Sequence, residues 1–370
     1  GGAQVPKTYV TMKKVGWMYD GSTTMTKQRS TATLDVLSRF DFVVTGMGAY
    51  SSIAHRKEIL DGIRSRAAAR GAKVPIFNYT IFSEVGPDNT TIVLDGHSLY
   101  SKLKANPKWW LRNAAGQRVR WTDQYNKVDV NIGPNAPADA NGKTWTQWHA
   151  DAWINSFGAT GFDGIYIDNL GVPPLMYHET GGDYSNAWVT PWPAHQPADF
   201  NLDGVNELPS TETARVAVAD GLAAWMDRVY ATYPNMIIIG NSDPSLDWLK
   251  RTQFSGRLWG ALYEGMIGKS YSSPNMATTL TRQRSKVGDI ATPAQYSVSL
   301  VWTDKWNDFE AVRYGICVTL MDNGHVAIHS ADNNQYGGTP KWYDEFDFPI
   351  GTPVDAPQTT PVATTVYKRT

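Results

Sequence analysis

One stretch indicates the architecture of this chain more clearly than any other: Gly161-Phe162-Asp163-Gly164-Ile165-Tyr166-Ile167-Asp168-Asn169-Leu170. Its apolar alternation stops at Asp168, which is typical of a buried strand that ends on a carboxylate. An Asp that only caps a turn would be followed by a tight turn. Here a long segment rich in Pro, Gly and His follows instead. We therefore interpret Asp168 as catalytic, and Asp163 at the other end of the strand as structural.

Seven further runs of strand length alternate with amphipathic segments of helix length. Together the eight candidate strands are Val15–Tyr19, Asp41–Thr45, Val74–Tyr79, Gly164–Asp168, Met236–Gly240, Leu258–Tyr263, Tyr296–Trp302 and Gly324–His329. Alternating strands and helices indicate a parallel sheet, and eight such units close a barrel. The predicted fold class is α/β, a (β/α)8 TIM barrel.

Two long segments interrupt this alternation of strands and helices. Residues 81–143 and 170–209 follow strands three and four, so we predict long insertions on the barrel face that carries active sites. We expect the catalytic barrel to span residues 1–350. Residues 351–370 are rich in Pro and Thr and form a C-terminal extension, either an extra strand or the start of a truncated appendage.

Composition excludes several classes of protein. With 42% hydrophobic and 19% charged residues, the 370-residue chain is not intrinsically disordered. A net charge of −1 argues against nucleic-acid and membrane partners, and no run approaches the roughly 20 apolar residues of a membrane span. A single Cys, Cys317, excludes a disulfide framework, and its place near the apolar face of a helix that opens at Asp308 predicts a small buried side chain. The start at Gly1 without an initiator Met is compatible with a mature terminus, and we expect a secreted or extracytoplasmic bacterial protein. The composition leaves the oligomeric state open.

A second carboxylate ends the sixth candidate strand. Glu264 follows Tyr263 and precedes Gly265, and we expect strands four and six to lie nearly opposite each other across the barrel. Two facing carboxyl groups suit glycosidic bond cleavage, with about 5–5.5 Å between them in retaining enzymes and about 6.5–9.5 Å in inverting ones. The residues alone leave these two outcomes open.

Polar and aromatic residues at the other strand ends suit sugars, whose hydroxyl groups need hydrogen bonds and whose apolar faces stack on rings. The predicted substrate-binding residues are Tyr19, Asp20, Asn78, Tyr79, Asn169, Asn241, Tyr263, Trp302, Asp304 and His329. The chain has 15 Trp against 11 Phe, and we interpret those in the insertions, among them Trp109 and Trp110, as sugar-stacking platforms.

Two sequence motifs resemble ligand-binding loops, and the calcium motif matches its pattern better than the nucleotide motif does. Asp199, Asn201, Asp203 and Gly204 match positions 1, 3, 5 and 6 of a calcium loop, but position 12 is Ser210, with Glu207 or Glu212 as substitutes. Structural calcium and a simple Asx turn both remain open, and catalysis needs no cofactor. The Gly46 loop lacks the third glycine of a dinucleotide fingerprint, so a nucleotide-dependent α/β enzyme is a weaker alternative.

The chain resembles glycoside hydrolases of the barrel group related to endo-α-1,4-polygalactosaminidases. The resemblance rests on residues 161–169 and on Tyr263-Glu264, with support from residues 110–113, Gly240-Asn241 and residues 342–346. It implies that Asp168 is the nucleophile and Glu264 the acid/base of a secreted, retaining hydrolase that degrades polysaccharides or oligosaccharides. A different class remains open at this point, a non-catalytic barrel that only binds polysaccharide.

Overall fold

The computed structural model describes thirteen segments of the chain. They are residues 11–18, 25–46, 53–86, 93–94, 97–122, 127–173, 177–178, 197–242, 248–268, 275–287, 296–321, 324–333 and 338–355. No helix within these segments is long and apolar enough to cross a membrane. Of the predicted C-terminal extension, residues 351–355 are described and have no helix or strand.

All eight predicted strands are present and close into one parallel barrel, which confirms the predicted fold. They are β1 (Lys13–Met18), β2 (Phe42–Thr45), β3 (Ile76–Thr80), β4 (Gly164–Leu170), β5 (Ile237–Ser242), β6 (Gly260–Ile267), β7 (Tyr296–Thr303) and β8 (His325–Ser330). Each strand pairs with its neighbours in chain order, and β1 pairs with both β2 and β8. All strands therefore end on one face of the barrel.

Alternation along the strands separates two cores. One face of each strand fills the barrel interior with Val15, Trp17, Phe42, Val44, Phe77, Tyr79, Tyr166, Ile239, Leu262, Val298, Leu300, Trp302 and Ala327. The other face packs on the helices, as Ile165 and Ile167 of β4 do. Since side chains alternate along a strand, Asp168 shares the interior face with Tyr166.

Helices cover the outside of the barrel, and a short one, Leu99–Lys104, lies in the first insertion. They are α1 (Thr31–Leu37), α2 (Ile53–Ala68), α3 (Leu99–Lys104), α4 (Trp145–Ser156), α5 (Glu212–Thr232), α6 (Met276–Val287) and α7 (Phe309–Leu320). Side chains cap the N-termini of several helices. Thr144 and Gln147 form a capping box on α4, and Ser30, Ser98, Thr211 and Asp308 cap α1, α3, α5 and α7. These caps satisfy N–H groups that have no partner inside the helix.

The insertions after β3 and β4 meet in one small antiparallel sheet. Its strand order is Tyr177–His178, Val119–Thr122, Lys127–Asp129 and Glu84–Val85. Three of these strands come from the first insertion and Tyr177–His178 comes from the second, so the sheet ties the two insertions together beside the carboxyl ends of β3 and β4. A short hairpin, Val93–Leu94 with His97–Ser98, belongs to the first insertion.

Three burial predictions differ from the structure. Trp109 and Trp110 are 0% and 1% exposed and belong to the core beneath the first insertion, so their interpretation as sugar platforms is wrong. These indoles belong to the core that the insertion shares with the helix layer, where Trp109 packs against Trp145 and Trp148 of α4. Cys317, expected on the buried face of α7, is exposed, since Ile316 and Val318 beside it take the buried positions.

Candidate active site

Asp168 and Glu264 lie where β4 and β6 leave regular strand geometry. Each is followed by a residue with positive φ, Asn169 at 51° and Gly265 at 59°. The strand register shifts at both places, between Gly240 and Ser242 on β5 against β4 and between Tyr263 and Ile267 on β6. Such bulges redirect side chains next to active sites, and Asn and Gly are the residues that best tolerate this backbone region.

The amide of Asn241 joins the two carboxylates. It lies on β5, the one strand between β4 and β6, so these strands are about a quarter turn apart, and the expectation that they lie nearly opposite each other is wrong. Asn241 Nδ2 donates to Asp168 Oδ1 at 3.1 Å and to Glu264 Oε2 at 2.7 Å. Because both distances end on one nitrogen, these two oxygens are at most 5.8 Å apart. The two N–H bonds of an amide diverge by about 120°, which places the accepting oxygens about 5 Å apart when each takes one proton.

Two further donors hold Asp168 in place. The Tyr79 hydroxyl donates to Asp168 Oδ2 from the neighbouring strand β3. The backbone N–H of Asn169 donates to Oδ1 at 3.0 Å, a bond that the left-handed turn makes reachable. With Asn241, three donors from three strands face one carboxylate, so its orientation is defined before any substrate arrives.

A buried acid pair adjoins this site. Glu84 and Asp129 are directly opposite each other in the insertion sheet, at 5% and 0% exposure. Burial raises the pKa of Glu84 to about 8; Lys127 and a hydrogen bond with the Asn169 side chain oppose the rise, and the Asp168 charge adds to it. Burial and then repulsion by Glu84 hold the pKa of Asp129 well above its ordinary range. Glu84 thus lies within electrostatic range of Asp168.

Sequence reasoning missed this pair. The only local signal is a carboxylate within an apolar stretch, Glu84 between Phe82 and Val85 and Asp129 between Val128 and Val130. Nothing in either segment indicates that the two carboxyl groups meet, because their strands are separated by more than 40 residues of insertion.

Three further predicted residues lie in the barrel interior or in the loop after β7. Trp302 and His329 lie in the barrel interior, buried and edge to face at 5.3 Å, with Trp17 against the same His329 ring. Asp304 is exposed in the loop after β7, where its carbonyl accepts from Asp332 N–H. These residues are on or near the predicted face, and their contact with substrate stays a prediction.

Two predicted residues point away from the carboxylates. Asn78 faces the helix layer, where its Oδ1 accepts from the Trp153 indole at 2.9 Å, and Tyr263 packs into the same outer core. The physical reason is the alternation of strand side chains, which sends the neighbours of Tyr79 and Glu264 outward. Tyr19, Asp20 and residues 47–50 of the Gly46 loop lie outside the described residues.

The predicted calcium loop is compact and acidic. Ligand atoms of Asp199, Asp203 and Glu207 all lie within 4.8 Å of one another, while Asn201 donates its amide to Asp203 Oδ2. Burial and repulsion by the two aspartates raise the pKa of Glu207, and a cation would relieve that repulsion. Backbone N–H groups already satisfy Asp199, whose oxygens accept from Asp203 and Gly204, as in an Asx turn. Calcium binding therefore stays a prediction.

Calcium should raise the Tm of the protein if it binds this loop. An ion at about 100 times its Kd stabilises the folded state by about 2.7 kcal/mol, which corresponds to several degrees. Thermal unfolding with calcium and with a chelator measures the shift, and Asp203→Asn should reduce it. Identical Tm values under both conditions would leave only the Asx turn.

Comparisons with known proteins match the chain to one family and to solved structures. The model of a family described as hypothetical glycosyl hydrolase family 15 matches residues 88–370, well over half of the chain. No curated protein matches the chain. Among solved structures, the glycoside hydrolase domain of a PelA variant from Pseudomonas aeruginosa is 12% identical, with 92% of this chain and 97% of that chain covered and a TM-score of 0.45.

Two other solved structures are similar to this chain. An alpha-amylase from Lactobacillus plantarum is 13% identical, covers 88% of this chain and 72% of its own, and has a TM-score of 0.46. An uncharacterized protein from Listeria monocytogenes EGD-e is 9% identical over 86% of this chain, with a TM-score of 0.51. This chain spans 29% of the Listeria chain. The Listeria structure agrees with the barrel fold.

Proposed function

The chain belongs to hypothetical glycosyl hydrolase family 15 and is a glycosidase, and from that premise we propose that it cleaves polysaccharides or oligosaccharides with retention of configuration. Asp168 is the nucleophile and Glu264 the general acid/base. The observation that carries the proposal is the Asn241 amide, which bridges the two carboxylates. Their separation of at most 5.8 Å between bridged oxygens supports the retaining spacing of about 5–5.5 Å rather than the wider inverting gap.

The reaction proceeds in two displacements. Glu264 gives its proton to the glycosidic oxygen while Asp168 attacks the anomeric carbon, so the leaving sugar departs as an alcohol and a glycosyl ester forms on Asp168. Glu264 then takes a proton from water, whose oxygen attacks the anomeric carbon and releases Asp168. Because Asn241 donates to Glu264 Oε2, the transferable proton belongs on Oε1 in this scheme.

Product analysis tests the proposal directly. Bacterial and fungal polysaccharides are offered to the wild-type protein, and the anomeric configuration of newly released ends is followed by NMR before mutarotation. We expect release from at least one polymer with retained configuration. Inverted product would overturn the retaining mechanism, and absence of release from every polymer would count against the proposed function.

Asn241→Ala should lower kcat because it removes the donor that both carboxylates share. Loss of one oriented donor at a reacting centre costs about 100- to 1,000-fold. Measurement of kcat on the cleaved polymer checks this, with Asn135→Ala as a control, since that amide donates to Asn201 O in the insertions. A wild-type kcat for Asn241→Ala would contradict a role for the bridge.

Trp306 is a platform for sugar on the same barrel face. It follows β7 and is 42% exposed, yet its backbone is held at both ends, by Asp332 Oδ1 on its N–H and by the Tyr343 hydroxyl on its carbonyl. An exposed ring on a fixed backbone suits stacking against sugars. We expect Trp306→Ala to weaken polysaccharide binding several-fold, up to about tenfold.

Trp259 provides the matched control for Trp306. It is 36% exposed but stands immediately before β6, at the opposite end of the barrel. Binding isotherms of both variants on the same polymer show whether the loss of binding is specific to Trp306. Equal losses in Trp306→Ala and Trp259→Ala would remove the platform from the proposal.

A further inference from the structure

The two oxygens of the Asp168 carboxylate differ in the donors that they accept. Oδ1 accepts two hydrogen bonds, from the backbone N–H of Asn169 at 3.0 Å and from the Asn241 amide at 3.1 Å. Oδ2 accepts one among the described residues, from the Tyr79 hydroxyl. A carboxylate offers about four lone-pair sites, shared equally by its two oxygens. Both sites of Oδ1 are therefore used, and one lone pair of Oδ2 is left to attack a carbon atom.

Asn241 occupies one oxygen of each carboxyl group. Its amide binds Asp168 Oδ1 and Glu264 Oε2, so the oxygens that it leaves are Asp168 Oδ2 and Glu264 Oε1. In the proposed mechanism the transferable proton is on Oε1. The corresponding oxygen of the nucleophile is Oδ2, which accepts from Tyr79.

The Tyr79 hydroxyl has a fixed position in the barrel interior. Tyr79 is 3% exposed and pairs in strand register with Tyr166, which shares the interior face of β4 with Asp168. The rings of Tyr79 and Tyr166 pack with their centroids 5.5 Å apart, and Trp17 meets the Tyr166 ring edge to face at 4.5 Å. This packing holds the ring, so the hydroxyl is oriented toward Oδ2 before any substrate arrives.

We propose that Asp168 attacks through Oδ2 and that Tyr79 is a catalytic residue whose hydroxyl promotes release of the sugar from that oxygen. This inference rests on the proposed function, because it assigns atoms to that two-step reaction. In the first step Oδ2 bonds to the anomeric carbon, while the bond to the leaving oxygen breaks and that oxygen takes the proton of Glu264. In the second step a water oxygen, deprotonated by Glu264, bonds to the anomeric carbon. The bond from carbon to Oδ2 breaks and its electron pair returns to Oδ2.

The hydrogen bond from Tyr79 favours the second step because charge returns to its acceptor there. In the glycosyl ester Oδ2 is the bridging oxygen and carries little negative charge, so it is a weak acceptor. As the ester breaks, Oδ2 becomes part of a carboxylate and the hydrogen bond strengthens. Only interactions that are stronger in the transition state than in the state before it accelerate a step. During the first step the charge on Oδ2 falls, so the same hydrogen bond gives that step no advantage. Tyr79 keeps its proton throughout.

Tyr79→Phe tests the proposal on the polymer that the wild type cleaves. The variant keeps the packed ring and loses only the hydroxyl, and a hydrogen bond to a charged group accounts for about 10- to 100-fold in rate. We expect kcat to fall by that factor and KM to fall with it, because the glycosyl ester accumulates. Mass spectrometry of acid-quenched protein, with peptide mapping, should find the sugar on Asp168 in the variant at higher occupancy than in the wild type.

Tyr230→Phe is the matched control. It removes a hydroxyl that donates to the carbonyl of Arg257 at 2.6 Å, on helix α5 outside the barrel. We expect wild-type kcat, KM and ester occupancy from this variant. Wild-type kcat in Tyr79→Phe would overturn the role of Tyr79, and so would a lower kcat without added sugar on Asp168.

The hydrogen bond itself is measurable without activity. A buried hydroxyl proton donated to a carboxylate exchanges slowly with water, so NMR of the wild type should show a downfield Tyr79 hydroxyl signal. The signal should be absent from Tyr79→Phe and should move in Asp168→Ala. A wild type that shows the signal but cleaves no polymer counts against the proposed function, and the role of Tyr79 ends with it while the bond stands. A wild type that cleaves polymer without the signal would overturn the bond and the role assigned to it.

Discussion

Asp168→Ala should abolish hydrolysis, with kcat reduced about 10,000-fold or more, and added azide should restore part of the turnover. The variant lacks the group that attacks the anomeric carbon, while Glu264 remains to protonate the leaving oxygen. A small anion in the space left by the carboxylate attacks from the same side as Asp168 did. The product is then a glycosyl azide with inverted configuration, which NMR identifies.

The reciprocal variant assigns the second role. Glu264→Ala should also be slow, but azide should attack the glycosyl ester on Asp168 and yield an azide of retained configuration. Asp163→Asn is the comparison at the opposite end of β4, where the carboxylate pairs with Arg64 at 2.8 Å. Should azide products of both variants have the same configuration, the assignment of nucleophile and acid/base would be wrong.

Glu84→Gln should make the protein more stable than the wild type at alkaline pH. In the wild type, the unfolded state ionises Glu84 near pH 4.5, whereas the folded state keeps its proton until about pH 8. The folded state therefore binds more protons in this window, and the free energy of unfolding falls as pH rises through it. The fall amounts to at most about 5 kcal/mol for this shift. The glutamine variant lacks this slope.

Urea unfolding from pH 5 to pH 9 compares the two slopes. The difference in free energy of unfolding between Glu84→Gln and wild type should grow with pH and level off above pH 8. Glu58→Gln serves as control. Glu58 lies on α2, is exposed and pairs with Arg29, so its substitution should leave the wild-type slope unchanged. Parallel curves for Glu84→Gln and wild type would mean that Glu84 is not held protonated in the folded state.

The strands and the two carboxylates were predictable because their signals are local. Apolar alternation and a polar residue at its end occupy fewer than ten residues, and Asp168 and Glu264 each stand in such a run. The same local reasoning misassigned Asn78 and Tyr263, because it counted residues near a strand end without fixing which face each one takes. One residue of offset moves a side chain from the barrel interior to the helix layer.

The tryptophans show that composition does not separate core residues from substrate-binding residues. An excess of Trp over Phe suggested sugar platforms, yet Trp109 and Trp110 are core residues while Trp306 is exposed on the catalytic face. A ring that stacks on sugar and a ring that fills a core have the same local sequence requirements. Their neighbours in space, which composition does not report, separate the two roles.

The sequence by itself determined the barrel, the strand ends and the two carboxylates at the ends of β4 and β6. Periodicity and chain order are enough for that, since parallel strands bring all their carboxyl ends to one face. Only the tertiary structure decided that Asn241 bridges Asp168 and Glu264 and that Glu84 lies opposite Asp129 in the insertion sheet. Those contacts join residues from different strands and insertions, and their distances depend on barrel closure and sheet pairing rather than on any neighbouring residue.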